Sequence, residues 1–170
     1  MSISIEIDPS KAVATLDNFA KQLKGLNPAL ASEANAYVSK VKKTLDIAVS
    51  EMTADVYSAL VRENPKFSNF LASNWRLQSG SQPNLSLLPF PPSRLPGEYT
   101  IPDAILFNDI QGTQTQYLYN RTSYARDAGL SGRPLRTAPP DWFTNIGQTV
   151  ESGTTFRNYL KQATAKTRSN

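Results

Sequence analysis

The amino-acid sequence predicts an α+β fold: a long helix and a C-terminal helix packed on a small, mainly antiparallel sheet, with long irregular loops. Residues 29–63 contain no Gly and no Pro, and their apolar residues recur at intervals of three and four, as in an amphipathic helix. Short segments with the character of strands lie on both sides of this helix, at 2–8, 75–78, 104–107 and 116–119.

The chain is expected to form a single domain, because 170 residues allow a core large enough to fold without disulfides. We divide it into an N-terminal strand and helix over 1–28, a body over 29–163 and a tail over 164–170 that we expect to be disordered. No internal repeat is present, and the stretch richest in Pro is a loop and not a separate unit.

The first elements follow from alternation and capping chemistry. Ile3, Ile5 and Ile7 alternate with polar residues, which predicts a half-buried edge strand over 2–8. Asp8-Pro9-Ser10 then suits a helix start, and apolar residues at helical spacing continue until Gly25. The sequence therefore predicts a first amphipathic helix before the long one.

Asn64-Pro65 should end the long helix, because proline disfavours the helical conformation of the residue before it. Residues 67–75 then hold a dense apolar set that includes Trp75, and we expect this segment to anchor the long helix to the sheet. Trp75, like Tyr124 and Trp142, is assigned mainly to packing.

A proline-rich stretch over 80–102 cannot form a central strand and is long for a loop. Its apolar residues Leu85, Leu87, Leu88 and Phe90 need a partner. Two interpretations stay open, since the stretch could reach a neighbouring subunit or cover the core of its own domain.

The remaining elements are predicted from composition. Residues 104–107 and 116–119 are expected to pair as a hairpin, and residues 126–137 to form an exposed loop. Pro139-Pro140-Asp141 suits entry into a final helix, which should run past Gly147 and Gly153 and fray beyond Ala163.

Composition argues against most enzyme classes, so no catalytic, cofactor or metal site is expected. The chain has no Cys and no His, which removes thiol nucleophiles and the usual base and metal ligand. Phosphate-binding loops and the GxSxG frame are missing. A carboxylate pair such as Asp103 and Asp109 remains the one catalytic arrangement considered, and fourteen acids make such pairs common by chance.

The net charge of +4 is spread over thin basic clusters, which favours solvated helix faces over a dedicated DNA site. Neither a signal peptide nor an apolar stretch approaching 18 residues is found. We therefore expect a soluble protein made in the cytoplasm, with no membrane partner.

Three segments carry a family resemblance: NPKFSNFLASNW at 64–75, YLYNRTSYARDAG at 117–129 and APPDWF at 138–143. Together they resemble the head-to-tail joining and tail-completion (neck, tail terminator-like) proteins of long-tailed bacteriophages, over roughly residues 38–150. That family follows a long helix with a segment like TPVDTGRARANW, then a strand ending in Asn before Tyr-Ala, and then Ala-Pro before the C-terminal helix. The matching positions are Pro65, Ser68, Asn74, Trp75, Asn120, Tyr124, Ala125, Ala138 and Pro139.

The sequence departs from the family pattern at several positions. Phe67 stands where an Asp is usual, and Asn69 and Phe70 replace a Gly-Arg pair. Any ion pair made by the family's Arg is therefore absent or moved. Asp127 and Gly129 match the family's acidic residue and Gly only loosely.

The resemblance implies a non-enzymatic virion protein, made in the host cytoplasm, that forms a hexameric ring at the head–tail junction of the virion. Its partners would be further copies of itself, the head connector or stopper, and the tail tube, with DNA passing through without sequence reading. Terminators, stoppers and joining proteins all fit this description. Ring subunits meet through loops rich in Arg and apolar residues, so the candidate interface residues are Arg126, Arg133, Arg136, Leu87, Leu88 and Phe90.

The main alternative is a nucleic-acid-binding module. Tyr117, Tyr119 and Tyr124, with Arg121 and Arg126, would then supply a surface that stacks on bases and binds phosphates. An enzyme with an unusual carboxylate site is the other alternative, and it would require a pocket that joins distant acids.

Overall fold

The computed structural model of this chain describes residues 2–65, 69–88, 99–100, 110–130, 138 and 141–168. Among them, three strands form one antiparallel sheet in the order β1–β3–β2, where β1 is Ile3–Ile7, β2 is Trp75–Ser79 and β3 is Gln116–Asn120. The predicted α+β fold is confirmed. The helices are Ser10–Leu26 (α1), Ala31–Glu63 (α2), Phe70–Ser73 (α3), Ala125–Leu130 (α4), Trp142–Glu151 (α5) and Gly153–Arg168 (α6).

The sheet has one buried face and one open face. Ile3, Ile5 and Ile7 are buried while the residues between them are exposed, as the alternation in the sequence predicts. The same period runs along β3, where Leu118 lies on the buried face. Apolar side chains of this face join the core beneath α2. The N-terminal strand is an edge strand, as predicted.

Strand β3 covers 116–119, the second half of the hairpin predicted from the sequence. Throughout its length β3 pairs with β1 on one side and β2 on the other, both antiparallel. Residues 104–107 lie outside the described part of the chain, as do Asp103 and Asp109. One edge of the sheet is thus supplied by the N-terminal strand β1.

Helix α2 is the axis of the fold, and its predicted extent over 29–63 is confirmed to within two residues. A short 3₁₀ turn over Pro28–Leu30 precedes it, and the helix ends before Asn64, which is extended with ψ 140° ahead of Pro65. The core begins at Leu45 and continues through Val49 to Leu60. In the described part of the chain, no helix combines the length and the apolar character needed to cross a membrane.

Helix α1 packs antiparallel to the first part of α2 and forms a helical hairpin with it. Lys42 and Asp17 make an ion pair at 2.7 Å, and the rings of Phe19 and Tyr37 meet edge to face at 6.4 Å. Every residue of α1 stays at least partly exposed, although Val13 reaches the edge of the core. This hairpin therefore extends away from the main core.

Two helices replace the predicted single C-terminal helix. Ser152 is extended, with ψ 112°, and separates α5 from α6 immediately before Gly153, a residue with low helix propensity. The predicted helix start after Pro139-Pro140-Asp141 is confirmed, since α5 begins at Trp142.

The expected fraying beyond Ala163, and with it the disordered tail over 164–170, is wrong up to Arg168. Helix α6 continues to Arg168 because tertiary contacts hold its last turns against α2. Ala163 is fully buried, Lys166 pairs with Glu51, and the Thr167 and Thr44 hydroxyls lie 3.2 Å apart.

The expected exposed loop over 126–137 is also wrong in its first part, because Ala125–Leu130 forms helix α4. Gly129 permits this helix to pack closely. A Cβ at Gly129 would lie 3.1 Å from Ile3 Cδ1 and 3.2 Å from Phe143 Cβ. Residues 131–137 lie outside the described part of the chain.

Candidate assembly interface

The first two segments that carry the family resemblance are joined by Asn120. This residue is fully buried at the end of β3, and its Nδ2 donates a hydrogen bond of 2.7 Å to the carbonyl of Leu71 in α3. Its Oδ1 accepts from the Thr122 N–H at 3.1 Å. One amide therefore fixes the turn after β3 and the approach of α3, and both of its ends are satisfied.

The third segment joins the other two through Trp75. The Trp75 ring is buried and stacks on Phe143 of α5, with centroids 6.1 Å apart and an interplanar angle of 14°. Its Nε1 donates to Asn64 Oδ1 at 3.3 Å, which ties the first strand residue of β2 to the end of α2. Trp142 donates from Nε1 to the Ala128 carbonyl at 2.8 Å. The packing roles predicted for both tryptophans agree with this burial.

The other family-motif positions surround this cluster. Asn74 donates from Nδ2 to the Phe70 carbonyl at 2.7 Å, and Tyr124 lies against Phe70 with ring centroids 6.5 Å apart. Ala125 and Ala138 are buried, and Pro65 is half-buried. Ser68 and Pro139 lie outside the described residues. We call the buried group formed by Asn64, Leu71, Trp75, Asn120 and Phe143 the framework cluster.

Asn69 adopts a left-handed backbone conformation directly before α3, with φ 66° and ψ 5°. L-residues other than Asn, Asp and Gly rarely adopt this conformation. The neck-protein segment that residues 64–75 resemble has Gly at this position. Asn is among the best substitutes for Gly here, so the departure in sequence keeps the backbone conformation that Gly would allow.

The predicted interface residues are only partly described. Arg126 is exposed on α4, and Leu87 is 52% exposed. Leu88 is half-buried. Its N–H donates to the Arg121 carbonyl at 2.8 Å, and it forms a parallel bridge with Thr122. The structure therefore brings 87–88 beside the segment that leads into α4. Arg133, Arg136 and Phe90 lie outside the described residues.

An exposed apolar surface on the α1–α2 hairpin was not predicted from the sequence. Leu26 is 82% exposed and Tyr37 59% exposed, and Phe19 and Leu30 are exposed beside them. Their helical spacing was visible in the sequence, but the same spacing is typical of residues that face a core. Periodicity alone does not distinguish a core face from a partner face.

A second surface was also missed, and no sequence signal could have located it. A groove of about 400 Å³ opens between the C-terminal half of α2 and helices α5 and α6. Its lining is mainly apolar, from residues such as Val56, Ile146 and Val150, with Asp55 and Glu63 among its polar members. The groove is lined by residues of three helices, α2, α5 and α6, that are distant in the sequence.

The polar contact beside this groove joins Tyr159 to Asp55. The Tyr159 hydroxyl donates to Asp55 Oδ2 at 2.6 Å. Burial of the phenol, and then the hydrogen bond to Asp55 and its negative charge, raise the pKa of Tyr159 above its ordinary value. The pair therefore links α6 to α2 while the phenol stays protonated. No group of three or more metal-ligating side chains occurs among the described residues.

The surface proposed for nucleic-acid binding is divided in the structure. Tyr117 and Tyr119 lie on the open face of the sheet, and Arg76 is paired with Tyr119 in the register. Tyr124 instead packs with Phe70. Burial is the main cause that raises the pKa of Tyr117, and the negative charges of Glu6 and Asp8 add to it. Acidic groups thus border one end of the tyrosine pair.

Comparison with protein-family models, with curated proteins and with solved structures finds no match to this chain. The geometry of the framework cluster and of the exposed surfaces is therefore the basis for a functional conclusion.

Proposed function

We propose that this chain is a structural protein of the neck of a long-tailed bacteriophage. In this role it forms a ring that joins or terminates the tail tube at the head connector and lets DNA pass. The observation that carries the proposal is the framework cluster, because all three segments that resemble the neck family meet there.

The described positions shared with the family are buried or half-buried in the fold. Trp75, Asn120, Ala125 and Ala138 are buried, and the remaining described motif positions are half-buried. A chance likeness would place matching residues on the surface as readily as in the interior. Concentration of the matches in one packed and hydrogen-bonded region supports a shared framework.

The left-handed Asn69 adds independent support. The family has Gly at this position, and the structure has a backbone conformation that Gly adopts freely and Asn tolerates. The geometry of the turn before α3 therefore agrees with the family pattern even where the residue differs.

A ring subunit needs a rigid body and exposed segments that meet neighbouring subunits and partner rings. The long helix and its sheet supply the body, while Leu87 and Arg126 supply exposed residues on adjoining segments. We propose that the protein works by geometry and not by catalysis. Its partners would be copies of itself, most simply six in a ring, together with the head connector or stopper and the tail tube.

Immunogold labelling of intact virions tests the proposal directly. Antibodies raised against the purified chain are applied to particles of the phage that encodes it, and the labelled particles are imaged by electron microscopy. Gold confined to the head–tail junction is the expected result. Gold along the tail or on the capsid, or unlabelled particles beside well-labelled purified protein, would overturn the neck assignment.

A nucleic-acid-binding module is the second candidate, favoured by the open tyrosine pair beside Arg76. Fluorescence anisotropy with a labelled single-stranded oligonucleotide tests it, because binding to phosphates weakens as salt rises. Salt-sensitive binding that Tyr119→Ala and Arg76→Ala both weaken would favour this module. Binding that neither substitution changes would remove this surface as its basis.

A further inference from the structure

The helical hairpin projects apolar side chains that nothing in the described part of the chain covers. We call residues 10–43, which form α1, the turn and the first part of α2, the arm. Seven large apolar residues are exposed among the described residues, and four of them lie on the arm. Scattered single apolar residues on a surface are ordinary, whereas a concentration on one projecting element indicates a binding surface. The four are Phe19, Leu26, Leu30 and Tyr37.

The groove between α2, α5 and α6 has the complementary character. Met52, Val56, Ile146 and Val150 give it an apolar lining, and its volume of about 400 Å³ accommodates a few large side chains. Its charged residues are Asp55, Glu63 and Arg62, and Arg62 pairs with Glu63 at 2.7 Å, which leaves one net negative charge, at Asp55.

The charge of the arm has the opposite sign. Residues 10–43 contain six Lys (11, 21, 24, 40, 42, 43) and two acids (Asp17, Glu33), for a net charge of +4, equal to that of the whole chain. We call residues 21–31, at the turn between α1 and α2, the tip of the arm. Lys21 and Lys24 are exposed there, close to Leu26. A basic, apolar tip and an apolar groove with one net negative charge are complementary in both respects.

The two surfaces cannot meet within one molecule. The tip lies at the start of α2, and the groove borders its last three turns. A rise of 1.5 Å per residue from Ala31 to Val56 separates them by about 40 Å along a single rigid helix. Only a second molecule can bring a tip to a groove.

We infer that the tip of the arm of one copy docks into the groove of the next copy, head to tail. Such a contact uses two different surfaces and is heterologous, so repetition closes a ring when the rotation permits. The inference deepens the proposed function, on which its closure into a ring rests. The contact itself depends only on the two surfaces described above.

Disulfide crosslinking tests the contact with little background, because the chain has no cysteine. Leu26→Cys marks the tip and Thr149→Cys marks the groove, and both positions are exposed. The two single variants are mixed, one carrying a tag that changes its mass, and oxidised mildly. The expected result is a several-fold excess of the mixed disulfide dimer over both homodimers.

The control mixture pairs Leu26→Cys with Ser4→Cys, which places the thiol at an exposed site on the open face of the sheet. A Leu26–Thr149 yield no higher than this control, with all variants folded by circular dichroism, would overturn the inference. That result would leave the groove to another occupant, such as a partner protein.

The chain carrying both Leu26→Cys and Thr149→Cys extends the test to ring closure. Head-to-tail contact predicts a ladder of covalent oligomers that ends at the ring size, whereas a reciprocal two-fold pair would stop at the dimer and overturn the head-to-tail arrangement. Crosslinks together with gold away from the head–tail junction would overturn the neck assignment and leave the contact standing. Gold at the junction without crosslinks would support the neck assignment and overturn the proposed contact.

Discussion

The Asn120 side-chain amide donates to the Leu71 carbonyl across 2.7 Å, in a fully buried position where the end of β3 meets α3. The same amide accepts the Thr122 N–H, so one side chain joins α3 to the turn that follows β3. With the Trp75–Asn64 hydrogen bond and the Trp75–Phe143 stack, this contact holds together the three segments on which the neck resemblance rests.

Replacement of Asn120 by Ala should destabilise the fold by about 1–3 kcal/mol, because the buried Thr122 N–H loses its partner and the Leu71 carbonyl keeps only the Asn74 N–H, 3.3 Å away. Chemical denaturation followed by circular dichroism measures the change. Asn145→Ala is the matched control, since Asn145 is exposed on α5 and should change stability by less than about 0.5 kcal/mol. Equal losses for the two variants would contradict the role given to Asn120.

Asn69 allows a test of the left-handed turn before α3. Asn69→Ala should cost about 1–2 kcal/mol, because a Cβ in the left-handed region is unfavourable and Ala lacks the local tolerance of Asn. Asn69→Gly should retain or raise stability, since Gly adopts this conformation without a steric cost. Thermal unfolding of the two variants separates them, and the reverse order of stability would refute the assigned conformation.

Gly112 packs directly on the backbone of α2. Its N–H donates to Asp46 Oδ1 at 2.6 Å, and a Cβ there would lie 2.3 Å from the Asp46 carbonyl oxygen. Gly112→Ala must therefore displace backbone, and we expect a loss of about 1–3 kcal/mol in the free energy of unfolding.

Gly147 provides the contrasting substitution. Among the described residues, nothing lies within 4 Å of a Cβ at Gly147, and the residue is helical, so Gly147→Ala should stabilise the protein by up to about 1 kcal/mol. The two variants are compared by denaturant unfolding. A neutral Gly112→Ala would show that the loop does not approach α2 as described.

The Tyr159–Asp55 pair predicts a loss of stability at alkaline pH. Burial and Asp55 raise the folded-state pKa of Tyr159 above the unfolded value of about 10. The contribution is therefore complete below about pH 10 and is lost as the pH rises from there toward the folded-state pKa. Tyr159→Phe should flatten this alkaline decline in the denaturation midpoint.

Asp55→Asn separates the effect of burial on the pKa of Tyr159 from the effect of the Asp55 charge. The variant keeps an oxygen that can accept from the phenol but removes the negative charge, while burial, the largest cause, remains. The decline of its denaturation midpoint at alkaline pH should be smaller than that of the wild type and larger than that of Tyr159→Phe. A decline unchanged in Tyr159→Phe would assign the effect to other groups.

Elements with strong local signals were predictable from the sequence. The spacing of apolar residues in α2 and the alternation of isoleucines in β1 depend on the faces that these elements bury, and both predictions are confirmed. Asn64-Pro65 ended α2 for a purely local reason.

Elements stabilised by distant contacts were not predictable. Helix α4 is six residues long and contains Gly129, and it is held by packing on Ile3 and Phe143 and by the Trp142 hydrogen bond. The last turns of α6 look like a polar tail in sequence, but Lys166 pairs with Glu51 of α2. No local sequence pattern predicts these contacts with residues far away in the chain.

The candidate interface also contains some features that local sequence signals predict and others that depend on distant contacts. Arg126 was expected to project outward and is exposed, although it lies on α4 and not in the predicted loop. For Leu87 the sequence left two interpretations open, and the residue is 52% exposed. The arm and the groove were missed because the apolar period of α1 fits a core as well as a partner, and the groove depends on how α5 and α6 pack against α2.

The most direct test of the neck function is electron microscopy of a lysate of the phage in which the gene for this chain is interrupted. The neck account predicts DNA-filled heads lying beside free tails, or overlong tails if the protein terminates tube growth, and a plasmid copy of the gene should restore joined particles. Normal joined virions from the interrupted phage would contradict the account.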